Sequence, residues 1–329
     1  MNLFIPAAMK QPLRILRPLL VLVIFVGAVC LLAHELRDFE YEQLLEGLRH
    51  IRLGQIALAI ALTALNYMVL LGYDYLAIQY IGRPLPLWKL ALASFIGHVS
   101  SFNFGSILAG SSMRYRLYSA WDFSAVEVLQ LIAILGLTFW LGVLFLAGVV
   151  FVVTPIPVPE TIAHAIPLAD VRILGVVLLL IVLGYLAICA VRRRPLKIWT
   201  WELPLPPPRL TMAQIAVSSA DLMVAAAVLY TVLPPLEGAG YVKALGVFLL
   251  GMVSAVITHI PAGLGIFDVM VVTFLPENKA GIASVLAALV VFRGVYYLLP
   301  LVVAAILWIG HETHVGWHSL RGWLQRRKG

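Results

Sequence analysis

Long apolar runs separated by short polar stretches dominate the chain. Six runs are continuous, and each is long enough for a helix to cross a bilayer, which takes about 17 residues or more. They cover residues 18–34, 56–81, 128–153, 171–191, 213–233 and 282–309. This pattern predicts an all-α polytopic membrane protein.

Two further segments, 88–110 and 241–275, are apolar but interrupted by polar residues, glycine and proline. The helix-breaking or polar positions that we single out are His98, Asn103, Gly105, His259, Pro261, Gly263 and Gly265. Non-helical backbone is tolerated in a bilayer only where protein or a water-filled cavity surrounds it. We therefore expect both segments to line an internal site.

The basic residues indicate the orientation of the runs, because they favour the cytoplasmic side. The N-terminus, the 192–210 loop and the C-terminus are rich in Lys and Arg, whereas the 154–170 loop has neither. Both termini should then be cytoplasmic and 154–170 external. With these sides fixed, the number of membrane crossings requires 88–110 to start and end on the cytoplasmic side and 241–275 to start and end on the outer side. A segment that enters and leaves on the same side is a re-entrant hairpin.

Each half of the chain thus has two helices, a broken hairpin and one helix, in opposite orientations. We expect an inverted-topology repeat, a common plan of transporters, with a first repeat over 1–160 and a second over 161–329. Residues 96–99 (IGHV) and 257–260 (ITHI) show weak symmetry. The alternative is eight plain helices with one atypical loop charge.

Two N-terminal segments have alternative interpretations. The run 18–34 follows Lys10, Arg14 and Arg17, as in a signal peptide, but more spans follow it and we expect an uncleaved first helix. Residues 35–53 predict a helix on the outer membrane surface, with a solvated loop helix as the alternative.

The amino-acid composition agrees with a membrane protein and excludes two other classes of protein. Hydrophobic residues make up 62% of the 329 positions and charged residues 12%, with a mean hydropathy of +0.99, against about 45–50% and about 25% in soluble domains. An ordinary soluble enzyme and a nucleic-acid-binding protein are excluded, because the net charge of +7 sits in short clusters between apolar runs.

Charges inside apolar runs are expensive and usually functional. Asp221 and Arg293 are the two that stand out, and their structural interpretation is a buried ion pair with each other or with other buried groups. Asp74 lies close enough to the end of its run to be an interfacial residue.

Arg114 and Arg116 follow the first broken segment, and Arg is well suited to bidentate phosphate contact. The alternative is a positive-inside anchor. Asp268 follows the Gly-Leu-Gly break, where it could cap a short helix or face a cationic headgroup.

We expect no metal site and no cofactor. His98 and His259 have no third ligand at suitable spacing, and we expect each to bond backbone carbonyls. Cys30 and Cys189 form no disulfide framework.

Three motifs resemble the lysylphosphatidylglycerol synthase transmembrane family, the flippase module of bacterial aminoacyl-phospholipid proteins. They are SSMRYRLY at 111–118, HIPAGLGIFD at 259–268 and RGVYYLLP at 293–300. Ala262 and Asp268 depart from the usual Gly and Glu. Bifunctional members continue into a second membrane bundle and a soluble aminoacyl-transferase domain, whereas this sequence ends at Gly329, so the resemblance implies a stand-alone translocating module.

The function expected is that of a lipid flippase or transporter of the bacterial inner membrane, without catalysis. Its partners would be membrane lipids, aminoacylated or not. The sequence is compatible with both a monomer and a homo-oligomer. Arg114, Arg116 and Arg293 would hold the phosphate, and Asp221 and Asp268 a cationic headgroup, with Asp221 also the candidate proton carrier. Alternatives are transport of hopanoids or other envelope lipids, a membrane-embedded transferase, and an accessory subunit of an envelope complex.

Overall fold

The computed structural model describes residues 47–154, 171–191, 196–198, 201–203, 205–235, 240–258, 265–275 and 281–308. The predicted helices at 18–34 and most of 35–53, the 154–170 loop beyond Thr154, both termini, and His259, Pro261 and Gly263 lie outside these residues.

The described residues are almost entirely helical, which confirms the all-α class. The helices are α1 (Leu53–Ile81), α2 (Leu87–Phe104), α3 (Ser111–Ser119), α4 (Ala125–Val153), α5 (Val171–Val191), α6 (Pro208–Val232), α7 (Tyr241–Thr258), α8 (Ile266–Phe274) and α9 (Gly281–Arg293). Two π-helical turns, π1 (Ser106–Gly110) and π2 (Gly294–Leu298), lead into α3 and out of α9, and the helix after π2 continues to 308. Strands β1 (Leu196–Ile198) and β2 (Trp201–Leu203) form a small antiparallel hairpin that the sequence did not suggest.

Local chemistry explains several helix ends. Before α4, the Ser124 hydroxyl accepts from the Glu127 N–H at 3.3 Å, and the Glu127 carboxylate accepts from the Ser124 N–H at 2.7 Å, a reciprocal capping box. Helix α6 begins with Pro208 at its first turn, where a missing N–H costs nothing. Helix α1 ends at Gly82, whose φ of 76° is left-handed.

Five described helices have the length and composition to cross a membrane: α1, α4, α5, α6 and the helix that runs through α9 and π2 to Trp308. They match the predicted runs at 56–81, 128–153, 171–191, 213–233 and 282–309. The chain is therefore a multi-pass membrane protein in its described part.

Helices α1 and α6 pack along their whole lengths and run in opposite directions. The Gln55 amide donates to the Thr231 carbonyl at 2.9 Å near one end, and Asn66 meets Asp221 at the middle. Toward the other end, a Cβ on Gly72 would lie 2.9 Å from Val217. The second helices of the two predicted repeats are thus antiparallel.

The first broken segment does form a helical hairpin. Gly105 has a φ of 92°, which glycine adopts readily because it lacks a Cβ. The chain then returns through π1 into α3, which packs back on α2. The returning limb extends to Ser119, beyond the predicted end at 110. Whether the hairpin re-enters a bilayer stays a prediction.

The second broken segment repeats this order of elements. Helices α2 and α7 both have 18 residues, and α3 and α8 both have 9. Gly265, with φ 79°, precedes α8, and α8 packs back on α7 through Phe267 and Phe248, whose ring centroids lie 5.5 Å apart. The repeat boundaries and the inverted orientation in a membrane stay predictions.

A stack of aromatic rings joins the two hairpins through the centre. Phe102 of α2 stacks on Tyr296 of π2, Tyr296 on Phe292, and Phe292 on Phe267 of α8, with centroid distances of 5.9, 5.1 and 5.9 Å. The buried core therefore includes both hairpins, and their polar residues lie beside this stack.

Candidate functional site

A fully buried ion pair lies where the first hairpin meets α1. Asp74 has no exposed surface and Arg114 is 4% exposed. The Arg114 Nε donates to Asp74 Oδ1 and its Nη2 to Oδ2, both at 3.3 Å, a bidentate geometry. The Tyr118 hydroxyl donates to Asp74 Oδ1 at 3.0 Å. Asp74 is thus held by groups from α3, one turn apart.

The local fold of the hairpin places Arg114 against α2. Gly97 lies beside the guanidinium: a Cβ there would come within 2.7 Å of Arg114 Cζ. Nδ1 of His98 lies 3.1 Å from Arg114 Nη2 and 2.9 Å from the Ser94 carbonyl. As expected, His98 therefore contacts a backbone carbonyl.

Arg114 and Arg116 do not share a face, because the segment is helical and not extended. Arg116 is exposed, and its guanidinium lies 5.0 Å from the centre of the Trp308 ring. The structure therefore separates the two residues: Arg114 belongs to the buried site, while Arg116 lies on the outer side of α3.

A second ion pair lies at the second hairpin. Arg293, at the end of α9, is 6% exposed and pairs with Asp268 in the first turn of α8. The Arg293 Nε donates to Asp268 Oδ1 at 3.3 Å. Asp268 Oδ2 also accepts from the Gly265 N–H at 3.1 Å, which confirms the expected capping role.

Asp221, at the middle of α6, is bound by neutral groups. The Tyr73 hydroxyl donates to Oδ2 at 2.7 Å, and the Asn66 amide donates to Oδ1 at 2.9 Å and to the Asp221 carbonyl at 2.8 Å. The sequence offered two structural alternatives for Arg293, a pair with Asp221 or a pair with other buried groups. The structure shows no pair with Asp221 among the described residues, and Arg293 pairs with Asp268 on α8.

Asn66 connects α1, α6 and π2. Its side-chain oxygen accepts from the Tyr296 hydroxyl at 2.8 Å, so every polar atom of the buried amide group has a partner. The next residue of π2, Tyr297, accepts at its carbonyl from Asn103 near the tip of the first hairpin, at 3.4 Å. π-Helical turns are frequent at functional sites, and this one links the hairpin tip to the Asp221 cluster.

Asp74 is the site residue that the sequence reading missed. We expected an interfacial position, whereas the Asp74 carboxylate is completely buried within the protein and is the ion-pair partner of Arg114. The signal was its place inside an uninterrupted apolar run, the same signal that identified Asp221. Among the described residues no group of three or more His, Cys, Asp or Glu could hold a metal ion.

The site therefore contains a buried ion pair, Asp74–Arg114, a partly buried pair, Asp268–Arg293, and one buried carboxylate, Asp221, with neutral partners. A guanidinium that holds a carboxylate in a bidentate contact can hold a phosphate in the same way.

Two relatives match this chain over most of its length and most of their own. An uncharacterized protein of Synechocystis sp., slr0712, is 35% identical over 84% of this chain and 86% of its own length. The inner membrane protein YbhN of Escherichia coli K12 is 29% identical over 91% of this chain and 93% of its own length.

A phosphatidylglycerol lysyltransferase of Staphylococcus haemolyticus is 25% identical over 90% of this chain, which corresponds to 34% of that protein. No protein-family model matches the chain. These relatives, with the five membrane-length helices, place the chain among multi-pass inner membrane proteins. The chain belongs to the lysylphosphatidylglycerol synthase transmembrane family.

Proposed function

We propose that the protein moves a phospholipid or a related lipid between the leaflets of the inner membrane, without changing the lipid chemically. Arg114 and Arg293 would bind the lipid phosphate in turn, one at each hairpin. The observation that carries this proposal is the fully buried, bidentate Arg114–Asp74 pair at the folded-back hairpin.

The two ion pairs support a binding role by their chemistry. A lone guanidinium inside a membrane protein is expensive, and the aspartate compensates it while no lipid is bound. An arriving phosphate offers two oxygens in the same geometry, so Arg114 can exchange Asp74 for the lipid. Arg293 and Asp268 allow the same exchange at the second hairpin.

When a lipid phosphate has taken the place of an aspartate at its arginine, that aspartate becomes available for the lipid headgroup. Asp74 or Asp268, once released from its arginine, is a free carboxylate that a cationic headgroup can contact. For Asp268 this role competes with its bond to the Gly265 N–H. Arg116, on the outer side of α3, would attract anionic headgroups toward the hairpin and would not bind phosphate inside it.

The name of one relative indicates which lipid to use first in a transport assay. The name of the Staphylococcus haemolyticus relative states phosphatidylglycerol as what that enzyme lysylates. Fluorescently labelled phosphatidylglycerol is therefore the first lipid to test, in vesicles of phosphatidylethanolamine and phosphatidylglycerol that contain the purified protein. Chemical quenching of the outer leaflet measures how much label has crossed.

Arg114→Lys tests the phosphate site, because lysine keeps the charge and loses the bidentate fork. We expect roughly a tenfold slower crossing, since loss of about 1.4 kcal/mol corresponds to a factor of ten. The matched control is Arg83→Gln, which removes a partly exposed guanidinium paired with Glu127 at 3.1 Å. Equal rates for Arg114→Lys and the wild type would contradict the phosphate role.

The same vesicles separate the alternatives. A hopanoid or another lipid without phosphate would cross at a rate that does not depend on Arg114. An accessory subunit would move no labelled lipid when purified alone. A transferase would alter the mass of the lipids, which mass spectrometry of the vesicles measures.

A further inference from the structure

Asp221 differs from the two aspartates that pair with the hairpin arginines. Asp74 and Asp268 each accept from an arginine, whereas the two oxygens of Asp221 accept from the Tyr73 hydroxyl and the Asn66 amide. The Asp221 side chain is buried in the middle of a helix of 25 residues. A carboxylate at that depth carries an uncompensated charge unless it is protonated.

The groups that face Asp221 from neighbouring helices do not supply the missing charge. Helix α1 contributes Tyr67 and Tyr73, and π2 contributes Tyr296, which reaches it through Asn66. Arg293 of α9 is held by Asp268 on α8. No described basic group faces Asp221.

The orientation of Asn66 favours a proton over a metal cation at this position. The Asn66 Nδ2 donates to the Asp221 backbone carbonyl, which can only accept, so the amide presents hydrogens to the carboxylate. A sodium ion would need oxygen ligands on that side. A proton on Oδ2 needs only a turn of the Tyr73 hydroxyl, which can accept as well as donate.

We propose that Asp221 takes up a proton from the aqueous phase on one side and releases it to the other in each transport cycle, so that lipid movement is coupled to the proton gradient. The uptake converts the carboxylate to a neutral carboxylic acid, and the release restores the charge. This inference rests on the proposed lipid transport.

The coupling follows from the position of Tyr73 in the chain. Tyr73 binds Asp221, and the next residue, Asp74, binds Arg114. The Tyr73 ring also meets the His98 ring, edge to face, with centroids 5.7 Å apart. When Oδ2 is protonated, the hydrogen bond reverses and the Tyr73 hydroxyl becomes the acceptor, so its own hydrogen needs another acceptor. A shift of α1 that supplies one moves Asp74 relative to Arg114.

The test uses the full chain in vesicles of phosphatidylethanolamine and phosphatidylglycerol with labelled phosphatidylglycerol and an imposed pH gradient. We expect the gradient to change the crossing rate of the wild type several-fold, and a protonophore to abolish that change. Crossing that ignores the gradient would overturn the proton proposal and leave the lipid-transport proposal intact. No crossing under any condition would overturn both.

Three variants assign the proton to Asp221. Asp221→Asn keeps the shape and should remove the response to the gradient, whereas the surface variant Glu127→Gln should retain it. A gradient response in Asp221→Asn overturns the proposal. If Asp221→Asn folds but moves no lipid, Asp221→Glu becomes the test, because a titratable group at that position should restore the response to the gradient. A folded Asp221→Glu variant without that response also overturns the proposal.

Discussion

Tyr73 and Asp74 are consecutive residues of α1 whose side chains enter two different buried networks. The Tyr73 hydroxyl donates to Asp221 at 2.7 Å, and the Asp74 carboxylate accepts from Arg114 at 3.3 Å. Successive side chains of a helix point about 100° apart, so one turn of α1 touches α6 on one side and the first hairpin on another. The two networks therefore cannot move independently of α1.

The buried pair can be dissected by a double-mutant cycle. Asp74→Asn keeps an acceptor for Tyr118, and Arg114→Met keeps the length of the side chain. Each single change leaves one buried charge uncompensated, and we expect a loss of about 3–5 kcal/mol in stability. The double variant should recover most of this loss but should not transport lipid, and thermal unfolding in detergent and the vesicle assay measure the two properties.

The partly exposed pair Arg83–Glu127 is the control for that cycle, since it joins the same two kinds of charged group with more access to solvent. Arg83→Gln and Glu127→Gln should each change the unfolding temperature little, because a glutamine at 127 still accepts from the Ser124 N–H. Strictly additive losses at Asp74 and Arg114 would show that the two side chains do not interact as the structure indicates.

Gly97 should not tolerate a side chain. In Gly97→Ala the new Cβ would come within 2.9 Å of Arg114 Nε and Nη1 and displace the guanidinium from Asp74. We expect lower thermal stability and slower lipid crossing. Gly136→Ala is the matched control on α4, where a Cβ meets nothing within 4 Å and should stabilise the helix by about 0.5–1 kcal/mol. Equal behaviour of the two variants would refute the close packing at Gly97.

Asn66 should matter more for stability than Tyr296. Asn66→Leu removes both donors to Asp221 and the acceptor of the Tyr296 hydroxyl, whereas Tyr296→Phe leaves only the Asn66 oxygen without its partner. Each buried polar group left unsatisfied costs about 1–3 kcal/mol. Thermal unfolding should therefore rank wild type above Tyr296→Phe and Tyr296→Phe above Asn66→Leu; the reverse ranking would remove Asn66 from the centre of the network.

Asp268 has two separable tasks. Asp268→Asn can still accept from the Gly265 N–H but loses the ion pair with Arg293, whereas Asp268→Ala loses both contacts. We expect the alanine variant to be the less stable of the two, by about 1 kcal/mol for the lost cap. Equal unfolding temperatures would show that the bond to Gly265 contributes nothing.

The predicted orientation can be tested by labelling single cysteines in whole cells after the two native cysteines are replaced. Ser119→Cys should react only from the cytoplasm and Gly240→Cys only from outside, because the charge bias places the loops there. Labelling of both positions from one side would contradict the inverted repeat.

Much of the fold could be predicted from the sequence because its causes are local. Helices at 56–81, 128–153, 171–191, 213–233 and 282–309 follow from the length of apolar runs, since a membrane helix satisfies its hydrogen bonds within itself. The folding back at Gly105 also follows from nearby residues. Local patterns also singled out Arg293 inside an apolar run and Arg114 after the first broken segment as candidate site residues, and they gave helix capping as one of two roles for Asp268.

The partners of those residues were decided by the tertiary structure alone. Asp74 meets Arg114 across 40 positions of sequence, and Asp221 meets Asn66 across 155. Which acid pairs with which base depends on how α1 packs against α6 and the first hairpin, and the spacing of residues along the chain carries no information on that packing. The burial of Asp74 has the same cause: a helix position near the end of an apolar run is interfacial or internal according to what packs against it, and here the returning limb of the hairpin covers it.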